Sequence, residues 1–443
     1  MAIVQLRSPL RELAGGRGEV EVEGRTVDEV VRSLTASHPQ LRGWVLDENG
    51  NLRRHVCLFL NDRTTELDAV VSPDDKVFIL GAISGGAEDA ELLIGTRKGL
   101  FVLRGARGGP MSEVARKFSG QTCEYAIRDR RTGTYYASVT HGQFGPHLYY
   151  TDDPAGDWRE ASGLAFGDTD GASVERIWSI QPAERDGALW AGVAPAALFR
   201  STDDGRSWSL VRSLWEEPSR PRWSLGAGGQ CMHSIATWPG DPSRLSVGIS
   251  AAGVWHTDDE GETWHRGVRG LVSRYLPEPA RADTYDFCVH NVHRSPTQPE
   301  TLYLQFHGGV YRSDDAGESW NDIGTDSGLP ADFGFPLVAH PNDPDRTFVI
   351  PLLGDFDRVT PGGALRVYET RDRGSSWRAL TEGLPQKDAY LTILRQAFAH
   401  DGGDPLGLYF GAESGDVFGS ADGGASWGVI ADHLPPVVSV RVA

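Results

Sequence analysis

Two sets of residues in this 443-residue chain have types and spacings suited to chemistry. The first is the pair Gly85-Gly86, which closely follows a short apolar run, Lys76–Leu80. Glycines lack Cβ atoms, so a thin, flexible backbone can thread into a narrow enzyme cleft. The second set is scattered and comes together only when a repeat is aligned. Turn prolines recur at Pro182, Pro239, Pro296 and Pro341, and six positions before them stand Arg176, His233, His290 and Phe335. The same register, carried to segments without the proline, adds Glu124 and Arg395, with Glu175, His293 and His307 nearby. A ring of one carboxylate, two guanidiniums and two imidazoles is suited to binding anions and moving protons near neutral pH. A solvated channel that simply prefers polar walls would carry the same residue types. No metal is expected: in V-H-N-V-H, His290 and His293 fall on opposite faces of a strand, away from a shared ion. Cys57, Cys123, Cys231 and Cys288 form no C-x-x-C pair and read as buried free thiols.

The elements that carry Gly85-Gly86 are legible in the first eighty-odd residues. Ala2–Leu6 and the strictly alternating E-V-E-V-E of Glu19–Glu23 predict two antiparallel strands. Thr26 opens T-V-D-E, a capping box with Glu29, and Val27, Val30, Val31 and Leu34 follow at helical spacing. Pro39 marks the end of that helix. His55–Leu60, closed by Asn61-Asp62, and Lys76–Leu80 predict two more strands. The order ββαββ is a small α+β layer structure.

The stretch D-D-K-V-F-I-L-G-A-I-S-G-G from Asp74 to Gly86 resembles the C-terminus of the MoaD/ThiS sulfur carriers. The L-R-E-L-A-G-G loop from Leu10 and the F-L-N-D turn from Phe59 fit the same family. The resemblance implies a ubiquitin-like β-grasp over residues 1–86 with Gly86 as its reactive end. It also implies a partner adenylating enzyme that activates the Gly86 carboxylate with ATP, after which a sulfur donor leaves a thiocarboxylate. No bound cofactor is implied. Here Gly86 is followed by Ala87, so its carbonyl is an amide and cannot be adenylated. In fused relatives a JAMM-type metalloprotease commonly makes the cut. This chain shows no H-x-H…D zinc pattern of its own, so the protease is expected from outside. The other reading is an uncleaved docking domain.

Residues 87–90, Ala-Glu-Asp-Ala, read as a short acidic linker open to proteolysis. From Glu91 an eight-residue box returns every 48–57 residues, the period of propeller blades. It reads S-T-D-D-G-R-S-W from Ser201, T-D-D-E-G-E-T-W from Thr257, S-D-D-A-G-E-S-W from Ser313, T-R-D-R-G-S-S-W from Thr370 and S-A-D-G-G-A-S-W from Ser420, with a degraded copy from Thr151. The aspartate is placed to bond backbone N–H groups, the glycine to take positive φ, and the tryptophan to anchor the turn. These boxes resemble the Asp-box, or BNR, repeat of sialidases and BNR-repeat glycosyl hydrolases. Aromatics two residues before the boxes, together with Phe101 in G-T-R-K-G-L-F, count seven blades over 91–443. The terminal strand Val437–Val442 is expected to close the ring by pairing with the first blade. Sialidase chemistry is disfavoured, because the early F-R-I-P-type motif is missing and sialidases have six blades.

A net charge of −18 argues against nucleic acid and anionic membrane as partners. The N-terminus shows no signal-peptide pattern and no run is apolar enough to span a bilayer, so a cytoplasmic location is expected. Three functions remain open: a released, thiocarboxylated carrier with a ligand- or partner-binding propeller, a glycosidase-like hydrolase acting at the propeller channel, and a non-catalytic scaffold.

Overall fold

The computed structural model describes residues 2–6, 10, 14–15, 18–41, 45–46, 56–61, 63–65, 67–73 and 75–81, and then 89–443 apart from 168–170, 227, 279 and 282–283. These divide into two compact units, Met1–Glu88 and Asp89–Ala443. Gly85, Gly86 and Ala87 lie outside the described residues.

In the first unit, Ala2–Leu6 pairs antiparallel with Glu19–Val22 and parallel with Lys76–Gly81. Val56–Leu60 pairs on the other side of Lys76–Gly81 and turns through Asn61 into a short edge strand, Arg63–Thr65. That edge strand was not expected; three residues are too few for alternation to register. The helix Val27–Ser37 starts where the capping box places it. The Thr26 hydroxyl accepts from Glu29 N, and the Glu29 carboxylate accepts from Arg25 N at 2.7 Å. Val27, Val30, Val31 and Leu34 are fully buried against Val4, Leu58, Val77 and Ile79. Parallel first and last strands at the centre of the sheet, with one helix across it, make a β-grasp.

The second unit is a seven-bladed propeller: seven four-stranded antiparallel sheets, each blade's inner strand touching the next. The inner strands are Thr122–Arg128, Arg176–Pro182, Cys231–Trp238, Val289–Arg294, Gly334–Ala339, Phe398–His400 and, for the first blade, Val437–Val442. The last of these pairs antiparallel with Asp89–Thr96, so one blade is built from both ends of the unit. The strand begins at Asp89, which puts Asp89 and Ala90 inside the first blade, not in the expected 87–90 linker.

Each box is a closed hydrogen-bonded turn. In the blade whose inner strand is Cys231–Trp238, Thr257 Oγ1 donates to Asp259 Oδ1 at 2.7 Å and accepts from Gly261 N. Asp259 in turn accepts from Thr263 N and Thr263 Oγ1, which holds its carboxyl down at about 2. The pattern recurs at Asp203, Asp315, Asp372 and Asp422. Gly317 shows why glycine is required: φ is +100° and a Cβ there would meet the His256 ring of the neighbouring blade at 2.4 Å.

Candidate functional site

Of the channel residues predicted by the repeat, His290 and Arg395 line one small cavity where the inner strands begin, Arg176 stands beside it against Trp178, and His233 lines a second, larger cavity. Glu124 and Arg176, from adjacent blades, form an ion pair at 3.2 Å. Burial raises the Glu124 carboxyl, against the lowering pull of Arg176. The Arg176 guanidinium lies 4.7 Å from the Trp178 ring centroid. Arg395 lies 5.6 Å from the same ring and 4.7 Å from Phe335. His290 packs against Phe335 and His307.

Two of the predicted side chains differ from the others in what they have left to offer. His233 is spent: its Nδ1 meets Ser234 Oγ and its Nε2 donates to Val289 O at 2.8 Å. Burial holds it neutral, well below the usual histidine range, and Arg395 adds to that. It ties one blade to the next and is a strut of the channel wall. Arg395 is the opposite case. Among the described residues its Nε finds no hydrogen-bond partner, and burial weakens its hold on the proton, with the nearby charges of Arg358 and Arg176 adding to that. A buried cation without a counter-charge is costly, and an anionic ligand relieves that cost.

Arg395, Arg358, His290, His307, Asp355 and the two thiols Cys231 and Cys288 share a cavity of about 60 Å³ at this mouth, lined also by Gly226, Gly228 and Gly229. That is room for a few waters or one small oxyanion. Below it, hydrogen bonds cross the channel: Asn291 Nδ2 donates to Arg395 O, and Gln396 Nε2 to His233 O. These form a floor between the small cavity and a larger one of about 480 Å³ at the opposite end. The larger cavity holds His293, His400 and two arginines: Arg441, engaged by Gln396 and Tyr125, and Arg294, which donates to Pro299 O and Ser246 Oγ and whose Nε has no partner among the described residues.

Cys288, Trp178, Asp355 and Arg358 were not singled out from the sequence as site residues. Cys288 had a signal, since it precedes His290 by two residues in C-V-H and alternation puts both on one side of an extended chain. Trp178 had the same kind of signal, two residues after Arg176 in R-I-W of an inner strand; Asp355 and Arg358 had none, because they lie in a loop beyond the strand Thr347–Pro351.

The comparisons divide the chain at the same point as the fold. A family model described as ThiS family matches residues 4–86. Small archaeal modifier protein 1 of Haloferax volcanii is 30% identical over 84 residues, covering 18% of this chain and 97% of that protein. A crystal structure of the Amycolatopsis orientalis BexX/CysO complex matches with 29% identity, over 19% of this chain and 100% of the other, at a TM-score of 0.18. The propeller matches an oligoxyloglucan-reducing end-specific xyloglucanase of Emericella nidulans, 24% identical over 221 residues, 43% of this chain and 26% of that enzyme. This chain thus spans about a quarter of the length of the xyloglucanase relative it matches. The boxes had resembled those of sialidases and BNR-repeat glycosyl hydrolases, with sialidase chemistry disfavoured; the propeller's curated relatives are named as xyloglucanases. Among the described residues, no helix is long and apolar enough to cross a membrane.

Proposed function

The chain belongs, through residues 4–86, to the ThiS family, and from that premise we propose that it is the precursor of a ubiquitin-like sulfur carrier joined to an anion-binding propeller. The observation that carries this reading is where the family match stops: at Gly86, five residues past the last β-grasp strand. A carrier tail must end there in a free carboxylate. A JAMM-type metalloprotease supplied by the host hydrolyses the Gly86–Ala87 peptide bond. A partner adenylating enzyme then joins the carboxylate to AMP, releasing pyrophosphate from ATP, and a sulfur donor displaces AMP to leave the thiocarboxylate on Gly86. The chain carries only four lysines, Lys76, Lys98, Lys117 and Lys387, so few of its own amines compete for the activated carbonyl.

The propeller, in this reading, takes a small anion at Arg395. The support is the unpartnered guanidinium in a cavity sized for an oxyanion. The xyloglucanase likeness favours glycoside hydrolysis as a second reading, with Asp286 as the acid, since burial raises its carboxyl.

Intact-mass measurement on protein from the native host tests the carrier. A fragment ending at Gly86, heavier by the difference between sulfur and oxygen, is the expected result. Only full-length chain, in cells where the protease and activating enzyme are present, refutes it. Release of reducing sugar from xyloglucan oligosaccharides by the full chain, lost in Asp286→Asn, would establish the second reading instead.

A further inference from the structure

We propose that Cys288, His290 and His307 form a transition-metal site at the channel mouth, of the zinc class, with a fourth position open to an anion held by Arg395. The three offer ligand atoms that all lie within 4.8 Å of one another. Tetrahedral zinc with bonds of about 2.0–2.3 Å holds its ligand atoms roughly 3.5 Å apart. No pair therefore has to close by more than about 1.3 Å, a distance that side-chain rotation covers. The backbone already brings them together. Cys288 and His290 sit two apart at the start of an inner strand, and His307 N donates to Cys288 O at 3.0 Å, at the end of the neighbouring strand Leu302–Phe306.

The second observation is the tautomer. His290 Nδ1 lies 2.7 Å from Gly334 O, and a carbonyl only accepts, so Nδ1 carries the proton and Nε2 keeps its lone pair. An N–H···O=C bond on the far nitrogen is what orients an imidazole as a metal ligand. His233 provides the contrast in the same wall. Its Nε2 is the donor to a carbonyl and its Nδ1 is occupied by Ser234, which leaves no lone pair for an ion. Asp355 lies 3.9 Å from His307 Nε2, where a carboxylate can orient the second imidazole.

The donor set selects the metal class. One thiolate and two imidazoles suit borderline and soft ions and exclude magnesium and calcium, which require oxygen. Binding takes the proton from the Cys288 thiol and releases it to solvent, so the Zn²⁺–thiolate–imidazole unit carries one net positive charge. Arg395 stands beside it and opposes a bare cation, since it bears on the charge of Cys288 and Cys231. That opposition decides the fourth ligand: an anion placed between metal and guanidinium satisfies both charges and the orphaned Arg395 Nε. Cys123 is no alternative, being fully buried among the first and second blades.

The test uses the full chain, stripped with chelator, dialysed and titrated with Co²⁺ as a spectroscopic stand-in for zinc. One equivalent should produce a thiolate-to-cobalt charge-transfer band in the near ultraviolet and the intense visible bands of four-coordinate cobalt. One equivalent of Zn²⁺ should bleach both. Cys288→Ser should abolish the charge-transfer band, while Cys57→Ser, Cys123→Ser and Cys231→Ser keep it. His307→Ala should weaken cobalt binding by about tenfold or more. Its thermal unfolding midpoint in the absence of metal should match the parent, which separates lost ligation from lost fold. Inorganic phosphate should shift the visible bands in the parent and not in Arg395→Gln. A parent without the charge-transfer band, or a Cys288→Ser variant that retains it, overturns the site. Visible bands indifferent to phosphate overturn the anionic fourth ligand. Neither result depends on cleavage at Gly86.

Discussion

Lowering the pH from 7 to 5 should destabilise the propeller by several kcal/mol, and His256 should account for a definable share. Its Nε2 donates to Gly317 O of the neighbouring blade and its Nδ1 accepts from Ser246, so it is neutral in the folded state. Burial pushes it down to about 3, with His265 and Arg294 adding to the effect. His293 is likewise held at about 3 and His400 at about 4, each chiefly by burial. The folded pKa is depressed below the unfolded value of about 6.5, so the unfolded chain takes up protons that the folded one refuses. Stability is therefore complete above about pH 6.5 and falls as the pH drops, until the folded values near 3–4 are reached. Between pH 7 and 5 one such histidine costs about 2 kcal/mol, and the three together about 6 kcal/mol. His233 and His290, also held low by burial, add to this. Glu124 and Asp286 act in the opposite direction, because burial raises their carboxyls and acid relieves that. The assay is urea unfolding at pH 7 and pH 5, followed by tryptophan fluorescence, which reports on the propeller because every tryptophan except Trp44 lies there. In His256→Gln the pH-dependent loss should shrink by about 2 kcal/mol. An unfolding midpoint that does not move between pH 7 and 5, or a variant with the parent's full pH dependence, would refute the reasoning.

Removing one box carboxylate, as in Asp372→Ala, strips Ser376 N and Ser376 Oγ of their acceptor and should cost about 1–3 kcal/mol in thermal unfolding. Trp208→Ala empties a buried site that also bonds Gly205 O and should cost about 3–5 kcal/mol in the same measurement. Deleting Val437–Ala443 removes the inner strand of the first blade and exposes the edge of Asp89–Thr96; light scattering should show aggregation of the truncated chain. A chain ending at Gly86 should be adenylated by the partner enzyme with ATP, measured by pyrophosphate release, whereas the uncut chain should give no pyrophosphate.

The mouth of the channel shows how far local pattern reaches. The capping box at Thr26, the valine face of the helix and the eight-residue boxes were readable because each is settled by residues within about one turn of one another. The repeat also aligned Glu124, Arg176, His233, His290 and Arg395 with one another, although the blades run 48–57 residues. What each of them does was not readable. His233 and His290 have the same residue type and register, yet one is used up on Val289 and Ser234 while the other keeps its Nε2 lone pair because its Nδ1 donates to Gly334 O. The difference lies in which carbonyl of the next blade faces which nitrogen, a contact between residues 44 or more positions apart.

By itself the sequence determined the two folds, the number of blades and the polar character of the channel. The tertiary structure decided that Arg395 Nε is left without a hydrogen-bond partner among the described residues and that the donor atoms of Cys288, His290 and His307 lie within 4.8 Å of one another. The physical reason is range. Hydrogen-bonded turns and amphipathic faces are short-range and leave a periodic trace, whereas desolvation and charge pairing depend on which distant side chains share a cavity and carry no period to read.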